Sequence, residues 1–179
     1  MPDREVLGAD AIAAAVEELA SAVVRDHPAG RPLNVVGILT RGETLAARLR
    51  ALLSRAGVDV RRGVLDVTLY RDDLSEIGPR PLVRPYDLNL EVDGVPMVLV
   101  DDVIYTGRSI RAALEAITDF GRPAYIRLAV LVDRGGRELP IQPDHIGRLL
   151  QVPDSARVNV LLAENDGRDA VELVEGGRP

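Results

Sequence analysis

With 179 residues, 46% of them hydrophobic, the chain has the length of one ordinary domain and the material for a buried core, and none of its apolar runs approaches the roughly 20 residues of a membrane-spanning helix. All 22 basic residues are Arg and Cys is absent, which excludes thiol nucleophiles, thiolate metal centres, Lys Schiff-base catalysis and P-loop nucleotide hydrolysis. The formal net charge of −6 argues against a surface generally coated for nucleic acid, and an N-terminus without a basic-then-apolar leader points to a cytoplasmic protein with no membrane partner.

Ile12, Val16, Leu19, Ala20, Val23 and Val24 recur at helical spacing, so residues 9–26 read as an amphipathic helix that Pro28 and Gly30 end. Asn34–Leu39 reads as a strand buried on both faces, followed by the turn Thr40-Arg41-Gly42 and a helix over Glu43–Ala56. Arg62–Tyr70 is rich in β-formers, and Arg71–Tyr86 is a long aperiodic loop, charged in its first half and Pro-rich in its second. A strand over Val95–Val100, a loop over Asp101–Arg108, a helix over Ser109–Phe120 and a strand over Ile126–Val132 complete a strand–helix–strand pattern, which implies a parallel sheet. Val158–Ala163 and Ala170–Val174, joined by Asn165-Asp166-Gly167-Arg168, read as a hairpin.

The chemistry concentrates in Met97–Ile110, M-V-L-V-D-D-V-I-Y-T-G-R-S-I. A buried strand delivers Asp101 and Asp102 side by side at its carboxyl end, where adjacent carboxylates repel and lose hydration unless hydroxyls or a metal engage them. Thr106-Gly107-Arg108-Ser109 then opens a helix, so that backbone N–H groups, two hydroxyls and the positive helix end converge on an anion site suited to a phosphate monoester. Acceptors for a diol and donors for a phosphate within one turn describe a site for ribose 5-phosphate. An isolated Asp-Asp or Thr-Gly would be an ordinary turn cap; the ordered combination is far more specific.

These residues resemble the signature of the type I phosphoribosyltransferases, in which an apolar run, two acids, an apolar pair and T-G bind phosphoribosyl pyrophosphate (PRPP). The blocks V-G-I-L-T-R-G (Val36–Gly42), L-D-V-T-L-Y-R-D-D-L (Leu65–Leu74), V-D-D-V-I-Y-T-G-R-S (Val100–Ser109), D-F-G-R-P (Asp119–Pro123) and L-A-V-L-V-D-R-G-G-R-E-L-P-I (Leu128–Ile141) are similar to those of the bifunctional pyrimidine operon attenuation proteins and uracil phosphoribosyltransferases. They occur in order and span about Val35–Ile146. The resemblance implies an α/β, type I phosphoribosyltransferase fold forming a single domain over 1–179. That fold has a central, mainly parallel sheet flanked by helices, a flexible lid loop at about 71–86 and a small C-terminal hood from about 141–179. It implies the reaction of uracil with PRPP to give UMP and pyrophosphate, Mg²⁺ entering with PRPP, and a homodimer or homotetramer.

Residue by residue, the resemblance implies that Asp101 and Asp102 serve catalysis, directly on the ribose hydroxyls or through Mg²⁺, and that Arg71 closes from the lid onto the pyrophosphate. Thr106, Gly107, Arg108 and Ser109 hold the 5′-phosphate, and Tyr105 belongs to the same PRPP- and nucleotide-binding set. Thr40, Arg41 and Gly42 hold pyrophosphate, with the Thr40–Arg41 peptide distorted, even cis, and Asp133 and Arg134 form a substrate-facing turn. The base is expected under the hood near Ile146–Pro153, with Ile146 and Val152 against it, although G-R-L-L-Q-V-P-D-S here replaces the family's G-K-N-V-P-T-S. Neither His27 nor His145 is given an acid–base part.

The resemblance further implies that the UMP-loaded protein binds pyrimidine operon leader RNA through a basic face on the first helix and after the D-R-G motif. Here that helix carries Glu17, Glu18, Ser21 and Asp26, Gly136 stands for a His and Gln142 for an Arg, while Arg137 and Arg148 remain basic. Each lost cation removes a phosphate contact, so weakened RNA affinity is expected. Two alternatives stay open: an RNA-binding attenuation regulator with vestigial enzyme activity, and a type I phosphoribosyltransferase acting on another nucleobase.

Overall fold

The run L-N-V-V-G-I is buried at every position and forms a central strand, as a segment covered on both faces must. The computed structural model describes residues 4–67 and 84–175. These run β1 (Arg4–Gly8), α1 (Ala9–Asp26), β2 (Leu33–Ile38), α2 (Arg41–Arg55), β3 (Val60–Asp66), β4 (Arg84–Asp87), β5 (Met97–Ile104), α3 (Arg108–Thr118), β6 (Ile126–Asp133), β7 (His145–Leu149), β8 (Ala156–Leu161), the one-turn helix α4 (Ala163–Asp166) and β9 (Ala170–Glu175).

The main sheet has the order β4-β3-β2-β5-β6-β7, parallel throughout except for β4, which runs antiparallel at the edge. Helices cover both faces, because alternate residues of each strand point opposite ways. Val35, Val98, Val100, Ala129 and Leu131 pack with α1 and α2, whereas Val36, Ile38, Leu99 and Val130 pack with α3. α1 buries Ile12, Ala15, Val16, Leu19, Ala20 and Val23, the stripe its periodicity predicts. His27, the residue before Pro28, takes extended dihedrals (φ −85°, ψ 130°) and ends it. No described helix is long and apolar enough to cross a membrane.

The expected α/β architecture is present, with three local corrections. The lid expected over 71–86 lies outside the described residues up to 83, and Arg84–Tyr86 belong to β4, where Pro85 is tolerated because an edge strand has an unneeded N–H. His145–Leu149 does not belong to the hood. It pairs parallel with β6 as the last strand of the main sheet, a strand that Gly147 and Arg148 hide from an apolar-run reading. The hood is instead a three-stranded antiparallel sheet, β1-β9-β8, whose first strand comes from the opposite end of the chain. Val160 and Val171 of this sheet, with Leu162 just after β8, join the α1 and α2 side of the core.

Candidate active site

β2 leads into α2 on one face of the sheet and its neighbour β5 leads into α3 on the other, so their carboxyl ends open a crevice. Pairing between β2 and β5 stops at Gly37–Val100, but β5 continues along β6 through Asp101–Val130 to Ile104–Asp133. Asp101 and Asp102 therefore sit within the strand and not in the expected loop, which shortens to Tyr105–Gly107. The ladder to β6 carries the strand past the point where its apolar run ends. The Asp102 amide donates to Asp101 Oδ1 and the Val103 amide to Asp102 Oδ1, both at 2.9 Å. Asp101 is buried, at 3% exposure, while Asp102 is partly open.

Both carboxylates line a cavity of about 340 Å³, within the usual range of small-molecule sites. Tyr105 through Ser109 form its next wall. Gly107 is left-handed (φ 92°) and starts α3, whose first-turn amides have no carbonyl four residues back within the helix. The loop is pinned from behind: Thr106 O accepts the Glu138 and Leu139 amides at 3.0 and 3.2 Å, and Arg108 Nε donates to Glu138 Oε2 at 2.8 Å. Arg134 also lines the cavity, with its guanidinium 4.0 Å from the centre of the Tyr105 ring.

At the end of β2 the cis peptide is Leu39–Thr40, one bond before the Thr40–Arg41 peptide expected to be distorted. Arg41 begins α2 and reaches the cavity, and its Nε and Nη2 donate to Asp166 of the hood at 3.1 and 2.7 Å. This pairing holds Arg41 above its usual pKa and Asp166 below the usual carboxylate value. Gly42 lets α2 approach β5: a Cβ there would lie 2.7 Å from Val100 O and 3.1 Å from Asp101 Cα.

The crevice thus brings together Arg41, Asp101, Asp102, Tyr105, Thr106, Gly107, Arg108, Ser109 and Arg134. Thr40 and Gly42 lie at the same end without lining it. Asp133 is corrected: it is buried at 4% exposure, accepts from Arg137 Nη2 at 2.6 Å and from the Gly135 amide at 2.9 Å, and does not face the cavity. Ile146 and Val152, expected as base contacts, do not line this cavity, and Ile146 faces α1 from β7. Arg137 turns inward to Asp133, the Tyr105 carbonyl and the Ile141 carbonyl, and Arg148 pairs with Glu18, so neither is an open surface cation. Arg71 lies outside the described residues. The wall that sequence reasoning missed runs from Asp154, in the turn before β8, along β8 to Val160, with Arg157 and Asn159 as its polar side chains. Its signal was the alternation R-V-N-V, which puts Arg157 and Asn159 on one face of β8.

A doubly wound sheet whose switch point joins paired carboxylates to a helix N-terminus is the arrangement of a crevice-binding α/β protein, and the family model for the phosphoribosyl transferase domain matches residues 4–160. The chain is similar to the bifunctional protein PyrR of Deinococcus deserti, at 47% identity over 173 residues covering 96% of this chain and 94% of that one. It is 48% identical over 172 residues to the bifunctional protein PyrR of Thermus thermophilus, covering 96% and 95%. The fold is that of the hypoxanthine phosphoribosyltransferase of Trypanosoma cruzi, with a TM-score of 0.73 at 20% identity over 97% of both chains. The chain belongs to the phosphoribosyl transferase domain family and, within it, to the bifunctional PyrR proteins.

Proposed function

We propose that the protein is a cytoplasmic uracil phosphoribosyltransferase of the pyrimidine-operon attenuator type, acting as a homodimer or homotetramer and converting uracil and PRPP to UMP and pyrophosphate. The observation that carries this reading is the meeting of Asp101 and Asp102 with Thr106–Ser109 in one crevice. The first-turn amides of α3 and the hydroxyls of Thr106 and Ser109 bind the 5′-phosphate. Asp101 and Asp102, each aligned by a backbone N–H, accept the ribose hydroxyls and lower the energy of the positive charge that develops at C1 as its bond to pyrophosphate breaks. Arg41 faces the departing pyrophosphate, and a ring nitrogen of uracil forms the new bond at C1 as the bond to pyrophosphate breaks, its proton passing to solvent. Asp154, Arg157 and Asn159 wall the acceptor side.

The donor set fits Mg²⁺ that arrives on the substrate: Asp101 or Asp102 offers hard oxygen atoms, and among the described residues no group of three or more His, Cys, Asp or Glu is arranged for a metal. Bound with PRPP, Mg²⁺ supplies charge neutralisation to the leaving pyrophosphate.

Pyrophosphate release measured with PRPP, Mg²⁺ and a panel of nucleobases tests the reading. Turnover with uracil is the expected result. Turnover with a different base alone would reassign the acceptor, and none with any base would leave the regulator without an enzyme.

A further inference from the structure

One face of α2 is given over to the hood. Arg41, Thr44 and Arg48 recur at i, i+3 and i+7, so they align along the helix. The turn between β8 and β9 engages all three. Arg41 donates through Nε and Nη2 to the two oxygens of Asp166, Thr44 Oγ1 donates to Asn165 Oδ1 at 2.6 Å, and Arg48 bridges Glu164 and Asp169. The Arg41–Asp166 contact is a fork-to-fork pair, which fixes the plane of the guanidinium as well as its position. It uses two of the five guanidinium N–H donors and leaves Nη1 without a partner among the described residues. Asp166 is anchored in turn, because its Oδ2 accepts the Leu162 amide at 2.8 Å.

We propose that Asp166 is a positioning residue for pyrophosphate: it holds Arg41 so that the Nη1 edge meets the pyrophosphate group of PRPP, and so ties the hood to the leaving-group end of the site. The inference rests on the phosphoribosyl-transfer reading above. Its sign distinguishes it from a clasp that merely competes with the ligand. A positioning carboxylate strengthens pyrophosphate binding when present, whereas a competing one weakens it.

Calorimetric titration of PRPP with Mg²⁺, pyrophosphate with Mg²⁺, and UMP separates the cases without relying on turnover. Asp166→Ala is expected to weaken PRPP and pyrophosphate about tenfold, the scale of one charge-assisted hydrogen bond, while UMP changes by less than about twofold. Asp166→Asn keeps an oxygen for one N–H and for the Leu162 amide, so it should fall between Asp166→Ala and wild type. Glu164→Ala loosens the same turn through Arg48 without touching Arg41 and should match wild type for all three ligands. In an Arg41→Ala background, Asp166→Ala should add nothing. Equal losses for UMP and PRPP, the same loss in Glu164→Ala, or tighter PRPP binding in Asp166→Ala would each overturn the proposal while leaving the enzyme reading intact. Wild-type protein that binds neither PRPP nor UMP would overturn both.

Discussion

The Arg134 guanidinium lies over the Tyr105 ring at 4.0 Å, and the backbone of Gly136 closes on the same ring. Gly136 is left-handed (φ 73°), and a Cβ built there would stand 2.3 Å from Tyr105 Cε2. Any side chain at 136 must therefore displace Tyr105, which precedes Thr106 in the cavity wall. Gly136→Ala should cost about 1–3 kcal/mol of stability through backbone strain and overpacking. It should also raise KM for PRPP. An unchanged urea midpoint and KM would show that Tyr105 moves aside freely.

Asp102→Asn keeps the shape of the side chain and its acceptor for the Val103 amide but removes the charge. If that charge stabilises the developing positive centre, kcat/KM should fall by at least about 100-fold, or about 2.7 kcal/mol. Circular dichroism should match wild type. Near-wild-type turnover would reduce Asp102 to a backbone cap within β5.

His145 opens β7 and is 5% exposed, with Nε2 buried and unpaired among the described residues. Burial pushes its imidazole below the usual histidine pKa, against the opposing pull of Asp26 and Asp144 and with Arg127 and Arg25 also lowering it. The unfolded chain therefore binds this proton more readily than the folded one. Its stabilising contribution is complete above the unfolded value of about 6.5, and falls as pH drops from there towards the lower folded value. Urea midpoints should decrease from pH 7.5 to 5.5. His145→Phe should flatten that slope, and an identical slope in the variant would assign the effect to other groups.

α1 was legible because its apolar stripe recurs every three to four residues, and the crevice because two acids between an apolar strand and a helix-opening T-G have few structural uses. The strand status of Asp101 and Asp102 was not legible, since charge ends the apolar run while the ladder with β6 decides where the strand ends. β1 was hidden for a related reason: R-E-V-L-G is short and half polar, and its partner β9 lies at the other end of the chain. Arg157 fell outside the hairpin strand read over Val158–Ala163, since the apolar run begins at Val158 while pairing with β9 carries β8 back to Ala156, and only the packing of the hood brings Arg157 and Asn159 to the cavity. Arg137 read as a surface cation because its partners, Asp133 and the carbonyls of Tyr105, Gly135 and Ile141, come together only when the loops after β5 and β6 meet.

The RNA prediction follows from where the remaining cations point. Arg148 Nη1 and Nη2 donate to the two oxygens of Glu18 at 2.7 and 3.2 Å, a pairing that holds Glu18 below its usual carboxylate pKa and charged. Arg137 is turned inward against Asp133. Of the cations left on the face that the resemblance assigns to leader RNA, Arg148 is neutralised and Arg25 lies next to Asp26, beside exposed Glu17 and Glu18. Each phosphate contact contributes roughly 0.9 to the slope of log affinity against log salt, so the loss of three or four lowers affinity by orders of magnitude at physiological ionic strength. Wild-type protein should bind pyrimidine leader RNA weakly. Glu18→Gln removes a repelling charge and frees Arg148, so it should tighten binding several-fold and steepen the salt slope by about one unit. Filter retention of the leader hairpin across a salt series, with and without UMP, measures both. Nanomolar, UMP-dependent binding by wild type at ~150 mM salt, unaffected by Glu18→Gln, would move the RNA site to another face of the molecule.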